Sequence, residues 1–434
     1  MASTATQPNL HLNLRVRGLG RSATLAINEH SAALEREGRQ VLRFGLGQSP
    51  FPVPEPVQDS LRENAFRKDY LDVQGLADLR RSVAGFYARR GDVDVEPDDV
   101  LIGPGSKELM FLTQLVYYGD LVIPTPSWVS YAPQAHILGR HVCWVPTRPE
   151  SGWRLQADEL ERLCREDPSR PRLLILNYPN NPTGGTYPDD ELAALAEVAR
   201  RYGVVLLSDE IYGEVRFDGD HHSIARYYPE GTIVSSGLSK WCGAGGWRLG
   251  VYLFPPALRP LLDGMAAVAS ETFTSTSAPI QFAAVRAFDG GPEIDHYLDD
   301  SRRILGSIAR WSTGRLREAD LHVVEPEGGF YLFPGLEAHR GRLAERGIHD
   351  APTLCRRLLD DTGVAVLPGS DFGRPADELT LRLALVDFDG GAALAAAKGH
   401  PPQGSDLDEA FLRQHCPKVV AGIEALCDWL GGSP

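Results

Sequence analysis

Between Val100 and Phe254 short apolar runs alternate with longer amphipathic stretches, and this alternation restricts the fold more than any other feature of the chain. Strands joined by covering helices pack in this pattern as an α/β domain with a largely parallel sheet. The predicted strands are Val100–Ile102, Leu121–Ile123, Leu173–Leu176, Val204–Leu207, Ile233–Ser235 and Gly250–Phe254, mostly bounded by Gly, Pro or Asn. Polar motifs stand directly after several of these runs. In an open α/β sheet ligands bind outside the carboxyl ends of the strands, so the motifs are expected to meet at one site.

The 434 residues suit two domains sharing a large buried core. After about Asp300 the texture changes to a predicted helix at Ser301–Ala319, an extended stretch at His322–Glu325, the run Gly328-Gly329-Phe330-Tyr331 and a second extended stretch at Leu379–Val386. This reads as a smaller second domain. Gly390–Ser405, rich in Ala, Gly and Pro, reads as a loop or surface insertion. A final helix is predicted from Pro417, which suits a first helical turn, with Val419, Val420, Ile423, Leu426, Cys427 and Leu430 at helical spacing against the smaller domain.

No apolar run approaches the ~20 residues of a membrane span. Met1–Arg21 is polar and lacks the apolar core of a secretion signal, so a cytoplasmic location is expected. With 58 acidic against 44 basic residues the formal charge is -14, which disfavours nucleic acid as a partner. The six cysteines are dispersed without a C-x-x-C pair, as expected of reduced, structural thiols.

The segment Ser236-Gly-Leu-Ser-Lys-Trp-Cys-Gly-Ala-Gly-Gly-Trp-Arg-Leu-Gly250 carries the most chemistry. Lys240 follows a small-residue turn after a strand and can form an imine. Small residues let the backbone approach a phosphate, and Arg248 can offer that group a two-pronged contact. The combination suits an aldehyde cofactor that bears a phosphate.

From Gly237 through Gly250 the segment resembles the lysine attachment signature of class I/II pyridoxal-phosphate (PLP) aminotransferases. The resemblance implies fold type I, an α/β architecture in which a large domain holds a mostly parallel seven-stranded sheet between helices, with a smaller α+β domain beside it. The expected division is an N-terminal arm and part of the small domain over 1–47, a large PLP-binding domain over 48–300 and a small C-terminal domain over 301–434.

Further motifs of the family follow in order. Asn177-Tyr-Pro-Asn-Asn-Pro-Thr-Gly-Gly185 looks like the N-P-x-G turn, and implies that Asn181 donates to the cofactor's phenolic oxygen and touches substrate. Ser208-Asp-Glu-Ile-Tyr-Gly213 is similar to the D-E-x-Y motif. It implies that Asp209 keeps the pyridine nitrogen protonated, so the ring can absorb an electron pair, and that Tyr212 joins Asn181 at the phenolic oxygen. Gly105, Ser106 and Lys107, in a glycine-rich turn that opens an apolar helix, match the phosphate loop. Trp128 matches a ring that stacks on the cofactor, and Tyr70 a tyrosine lent to the phosphate of a neighbouring subunit, which implies a homodimer.

Arg382, set among apolar strand residues, is costly to bury without an anion and resembles the clamp on the substrate α-carboxylate, with Gly47 closing over the same group. Two departures stand out. Gly237 replaces a frequent Ser or Thr three residues before the lysine, so Ser236 or Ser239 is expected to supply that phosphate contact. Gly47-Gln-Ser-Pro-Phe-Pro52 replaces the common G-E-P-D-F-x-T-P, which leaves specificity open.

The reaction implied is ping-pong transfer of an amino group from an L-amino acid to a 2-oxo acid, Lys240 shuttling the proton, with glutamate or aspartate as a reasonable donor. Ser22 and Thr24 with Lys107 resemble positions that meet a distal carboxylate, though Ser22 and Thr24 equally suit a helix cap. A PLP lyase, decarboxylase or oxidase on the same fold is the alternative, and a non-catalytic regulator a remote one.

Overall fold

The computed structural model describes residues 11–20, 23–91, 93–399 and 406–432. Ser22 lies outside them, as do residues 400–405 of the expected insertion. In chain order the strands are β1 (Leu42–Arg43), β2 (Val100–Gly103), β3 (Asp120–Thr125), β4 (Val142–Pro146), β5 (Arg172–Asn177), β6 (Val205–Asp209), β7 (Thr232–Gly237), β8 (Gly250–Leu253), β9 (Tyr331–Leu332), β10 (Val364–Ala365), β11 (Leu367–Pro368) and β12 (Leu381–Ala384).

A seven-stranded sheet runs β2-β8-β7-β6-β5-β3-β4. Neighbours from β7 to β4 are parallel, whereas β8 is antiparallel to both β7 and β2. The reversal has a plain cause. No helix crosses over between β7 and β8; residues 238–249 turn back in a compact loop, so Val234 faces Leu253 and Gly237 faces Gly250. Lys240 and Arg248 therefore sit together at one end of the sheet.

Strands β5 and β7 are buried along their whole length, as parallel strands covered on both faces must be. The edge strand β4 did not stand out in the sequence. Its residues are mostly half-buried or exposed, with Trp144 turned outward, so it lacks the continuous apolar run of a central strand.

Beyond the sheet, Pro292–Glu318 forms one long helix that begins well before the predicted Ser301. Pro292 takes its first turn with Glu293 and Asp295, and Arg315 and Arg317 end it, so charges at both ends favour the helix dipole. Its apolar face, including Leu298, Leu305 and Ile308, packs near the helices Gly390–Ala397 and Pro417–Gly431. A three-stranded antiparallel sheet, β11-β12-β9, pairs Leu367 with Arg382 and Leu383 with Leu332. The predicted stretch at His322–Glu325 is reduced to a single bridge between His322 and Gly335.

The expected loop over Gly390–Ser405 needs correction in its first half, because Gly390–Ala397 is helical. The Asp389 carboxylate accepts the Ala392 N–H at 3.0 Å, and the alanines that follow have the highest helix propensity. Gly390 also packs flush on the Pro50 carbonyl, where any Cβ would collide. The final helix starts at Pro417 as expected and buries Val419, Val420, Ile423, Leu426 and Leu430. All six cysteines are free thiols. Among the described residues no helix is long and apolar enough to cross a membrane.

Candidate active site

The ends of β5, β6 and β7, the turn after β2 and the segment after β3 surround a cavity of about 570 Å³. Strand pairing sets Asn177 level with Asp209, and Asp209 level with Ser235. Asn177 then ties two motifs together. Its Nδ2 donates to the Asp209 carbonyl at 2.8 Å, and its Oδ1 accepts the Asn181 N–H at 2.8 Å.

The Asp209 carboxylate is buried and unequally satisfied. Oδ2 accepts the Tyr131 hydroxyl at 2.7 Å, while Oδ1 has no hydrogen-bond partner among the described residues. Burial pushes the carboxyl up to about 6, against the opposing pull of the Tyr131 O–H and the Ile211 N–H. An orphaned buried carboxylate oxygen is expensive unless a donor meets it.

Lys240 lies across the cavity, its Nζ donating to the Gly47 carbonyl at 2.7 Å and standing 5.5 Å from the Tyr212 ring centre and 5.7 Å from that of Phe330. Burial, then the nearby Arg382 guanidinium, lowers its amine to about 8. Tyr212 shares a hydrogen bond of 2.7 Å with Tyr331.

Arg382 is 1% exposed, and its guanidinium lies 4.9 Å from the Tyr331 ring centre and 5.3 Å from that of Phe372. It donates to the Gly45 carbonyl and, at 3.5 Å, to Asn181 Oδ1; its Nε has no partner. Among the described residues no carboxylate accepts from it. Desolvation lowers its pKa, so burial of this charge is costly until an anion meets it.

A second cluster of anion donors lines the same cavity. Gly105, with φ +93°, turns the chain into the helix Ser106–Val116, and a Cβ there would strike the Arg248 guanidinium. Gly250 likewise leaves room for the Ser106 backbone. Arg248 itself holds a left-handed φ of 56° and donates to the Gly245 carbonyl at 2.7 Å. A non-glycine residue held there is strained, as is common where geometry serves a ligand. Lys107 Nζ lies 4.9 Å from the centre of the Trp128 ring, and burial followed by the Arg248 charge lowers its pKa.

The structure thus brings Gly47, Ser106, Lys107, Trp128, Asn181, Asp209, Tyr212, Ser239, Lys240, Arg248 and Arg382 around one cavity, with Gly105 against Arg248. Two expected residues are elsewhere. Ser236 is buried within β7, its hydroxyl on Tyr87, because side chains alternate along the strand and this one points away. Ser239, in the loop beyond, lines the cavity instead. Tyr70 is 88% exposed and does not line it. Asn177, Tyr131 and Tyr331 also belong to the cavity lining, and no sequence pattern marks them as site residues. Asn177 opens the quoted Asn-Pro turn and Tyr131 stands three residues after Trp128, but nothing local marked either as a partner of Asp209.

A seven-stranded sheet, a lysine on the return loop, a lone carboxylate oxygen and two anion cradles define a phosphate-bearing aldehyde site. The sequence model described as aminotransferase class I and II matches residues 39–387, and the chain belongs to that family of PLP-dependent aminotransferases with fold type I. It is 31% identical to an aspartate aminotransferase of Geobacillus stearothermophilus over 84% of this chain and 93% of that one. An aspartate/prephenate aminotransferase of Thermus thermophilus is 30% identical, covering 83% and 91% respectively. The solved aspartate aminotransferase of Thermus thermophilus with maleate superposes with a TM-score of 0.80 at 29% identity, over 90% of this chain and 98% of that chain.

The lowered amine gives a pH prediction. A lysine titrating at about 8 is roughly half neutral at pH 8 and roughly 1% neutral at pH 6. Only the neutral amine attacks an aldehyde. Reconstitution of the cofactor-free protein with PLP, followed by absorbance, is expected to accelerate roughly fiftyfold between these pH values and then level off. A rate still climbing towards the ordinary lysine value of 10.5 would contradict the burial argument.

Proposed function

We propose that this aminotransferase takes its amino group from an acidic amino acid, aspartate or glutamate, and that the residues named above divide the work as follows. The observation that carries the reading is the convergence on one cavity of Lys240, the Asp209 Oδ1 and the Arg382 guanidinium, whose Nε, like that Oδ1, has no partner among the described residues.

The cavity fits PLP. Asp209 Oδ1 would meet the protonated ring nitrogen, Asn181 and Tyr212 the phenolic oxygen, and Trp128 one ring face. Arg248, Ser106, Ser239, the Gly105 turn and the start of its helix would hold the phosphate. When bound, the cofactor supplies an aldehyde that takes up the amino group and a ring that spreads the charge left at Cα.

The protein does the rest. Arg382 binds and orients the α-carboxylate in two parallel contacts, and the Gly47 backbone closes over it. With PLP in place, Lys240 Nζ would be the base that takes the proton from the substrate Cα and holds it for return. Its lowered amine suits that task near neutral pH, since burial leaves roughly a tenth of it free to accept a proton at pH 7, against well under roughly 0.1% for an ordinary lysine. Lys107 on the cavity wall is the cation that would meet a distal carboxylate. Of the expected helpers Ser22 and Thr24, Ser22 lies outside the described residues and only the backbone of Thr24 is described, within the helix Ala23–Arg36. The names of the relatives support the acidic donor.

Tyr70, exposed on its own subunit, would complete the phosphate site of a second copy, making the working unit a homodimer. The division into an arm over 1–47, a cofactor-binding part over 48–300 and a smaller part over 301–434 belongs to the same reading.

The test is a panel of single amino acids, each with a 2-oxo acid acceptor, with product oxo acids identified. Aspartate or glutamate is expected to give the highest kcat/KM, and Arg382→Leu to raise KM for every donor by roughly thirtyfold or more, as removal of a buried charge partner does. Preference for a neutral or aromatic donor over both acids would overturn the acidic reading. An unchanged KM in Arg382→Leu would remove the assigned clamp.

A further inference from the structure

We propose that Tyr331 is a positioning residue that couples the substrate-carboxylate clamp to the donor at the cofactor's phenolic oxygen. The proposal rests on the reading of Tyr212 as that donor.

Tyr331 is almost fully buried in β9, and three contacts fix its ring and hydroxyl. The hydroxyl shares the 2.7 Å hydrogen bond with Tyr212. The ring stands under Arg382, with the guanidinium 4.9 Å from its centre, and meets Tyr212 edge-on at 5.5 Å. The third contact is with Gly47, where any Cβ would collide with the Tyr331 hydroxyl. One side chain therefore touches the backbone that closes over the carboxylate, the arginine that binds it and the tyrosine that faces the cofactor.

The hydrogen bond between the two phenols is directional. Without an outside acceptor, Tyr212 can give its proton to Tyr331. Once Tyr212 donates to a phenolic oxygen, its own oxygen is left as an acceptor, and Tyr331 can turn its O–H to it. A donor that itself accepts a hydrogen bond donates more strongly, and in a buried site this reinforcement is not diluted by water. Tyr331 then helps Tyr212 draw negative charge from the phenolic oxygen. Because the Tyr331 ring also faces Arg382, filling the clamp with a carboxylate alters the field at the Tyr331 hydroxyl, and the two ends of the site are linked.

The experiment is a visible pH titration of the cofactor band in the PLP-loaded enzyme and in Tyr331→Phe, Tyr212→Phe and the double variant, each with and without succinate as an unreactive carboxylate. Loss of the Tyr331 O–H leaves more charge on the phenolic oxygen to hold the neighbouring proton. The midpoint in Tyr331→Phe is expected to rise by roughly 0.5 to 1 unit. In the Tyr212→Phe background the same change is expected to move it no further, since the intermediary is gone. The shift that succinate produces is expected to shrink in Tyr331→Phe, while succinate affinity changes less than about threefold because the ring under Arg382 remains.

An unmoved midpoint in Tyr331→Phe, alongside a clear shift in Tyr212→Phe, overturns the role of Tyr331 alone. Additive shifts in the double variant do the same. No shift in Tyr212→Phe sinks the assignment of Tyr212, on which the proposal stands. A merely structural role would lower the melting temperature without moving the band, so thermal unfolding is recorded on the same samples.

Discussion

Lys240→Ala lowers the transamination rate by at least about 10⁴-fold and removes the amino-acid-sensitive visible band. The size follows from two losses in one side chain. On the proposed assignment the attachment point for the aldehyde would disappear, and so would the base that moves the proton at Cα, a function worth roughly 10² to 10⁴ alone. The fold should survive, because among the described residues the amine makes a single hydrogen bond, to the Gly47 carbonyl. Removing a buried ammonium is not expected to destabilise the protein. Borohydride reduction of the wild type, followed by peptide mapping, is expected to find the cofactor's mass on the peptide containing Lys240. Finding it on another lysine would contradict the assignment.

Asp209→Asn is the second large effect, and its sign differs between activity and stability. Opposite a protonated ring nitrogen, as proposed, the carboxylate would form a buried ion pair whose loss is expected to cost ~3–5 kcal/mol, or roughly 10² to 10⁴ in kcat. The cofactor-free protein should respond in the other direction. Its folded-state carboxyl is raised from 3.8 to about 6, so above the unfolded value the buried charge removes stability, and this loss grows as pH rises through 6. Asparagine carries no such charge. Cofactor-free Asp209→Asn is therefore expected to melt no lower than the wild type at pH 8, and at pH 4 to lose any advantage. Parallel losses of melting temperature and activity at every pH would assign Asp209 a structural role.

How much of this was legible in the sequence depended on whether the information was local. Lys240 and Arg248 lie in one small-residue turn, Asp209 closes an apolar run, and Arg382 interrupts one, so each announced itself through its immediate neighbours. Asn181 and the Gly105 turn were marked by proline and glycine. By contrast, Tyr331 meets Tyr212 across 119 residues of chain and Tyr131 meets Asp209 across 78, separations that no local pattern encodes.

The errors have the same origin. Ser236 and Ser239 looked interchangeable as hydroxyls near the lysine, and only the pleat of β7 decides that one points to Tyr87 while the other, past the strand end, faces the cavity. Gly390 and Gly391 suggested a loop, yet they occupy a first helical turn where Asp389 caps the helix and Gly390 meets the Pro50 carbonyl. The antiparallel β8 was hidden because an apolar strand reads alike in either direction. Its reversal follows from the absence of a crossover helix, and it places Arg248 beside Gly105.

The central claim, that Lys240 and its surroundings move an amino group through PLP, is tested most directly by following the visible spectrum of the loaded enzyme during titration with aspartate or glutamate in the absence of an oxo acid. Loss of the Lys240-dependent band, release of one matching 2-oxo acid per site, and recovery of the band when a second oxo acid is added are expected. A band that disappears with release of carbon dioxide, ammonia or peroxide, and that no oxo acid restores, would contradict the claim.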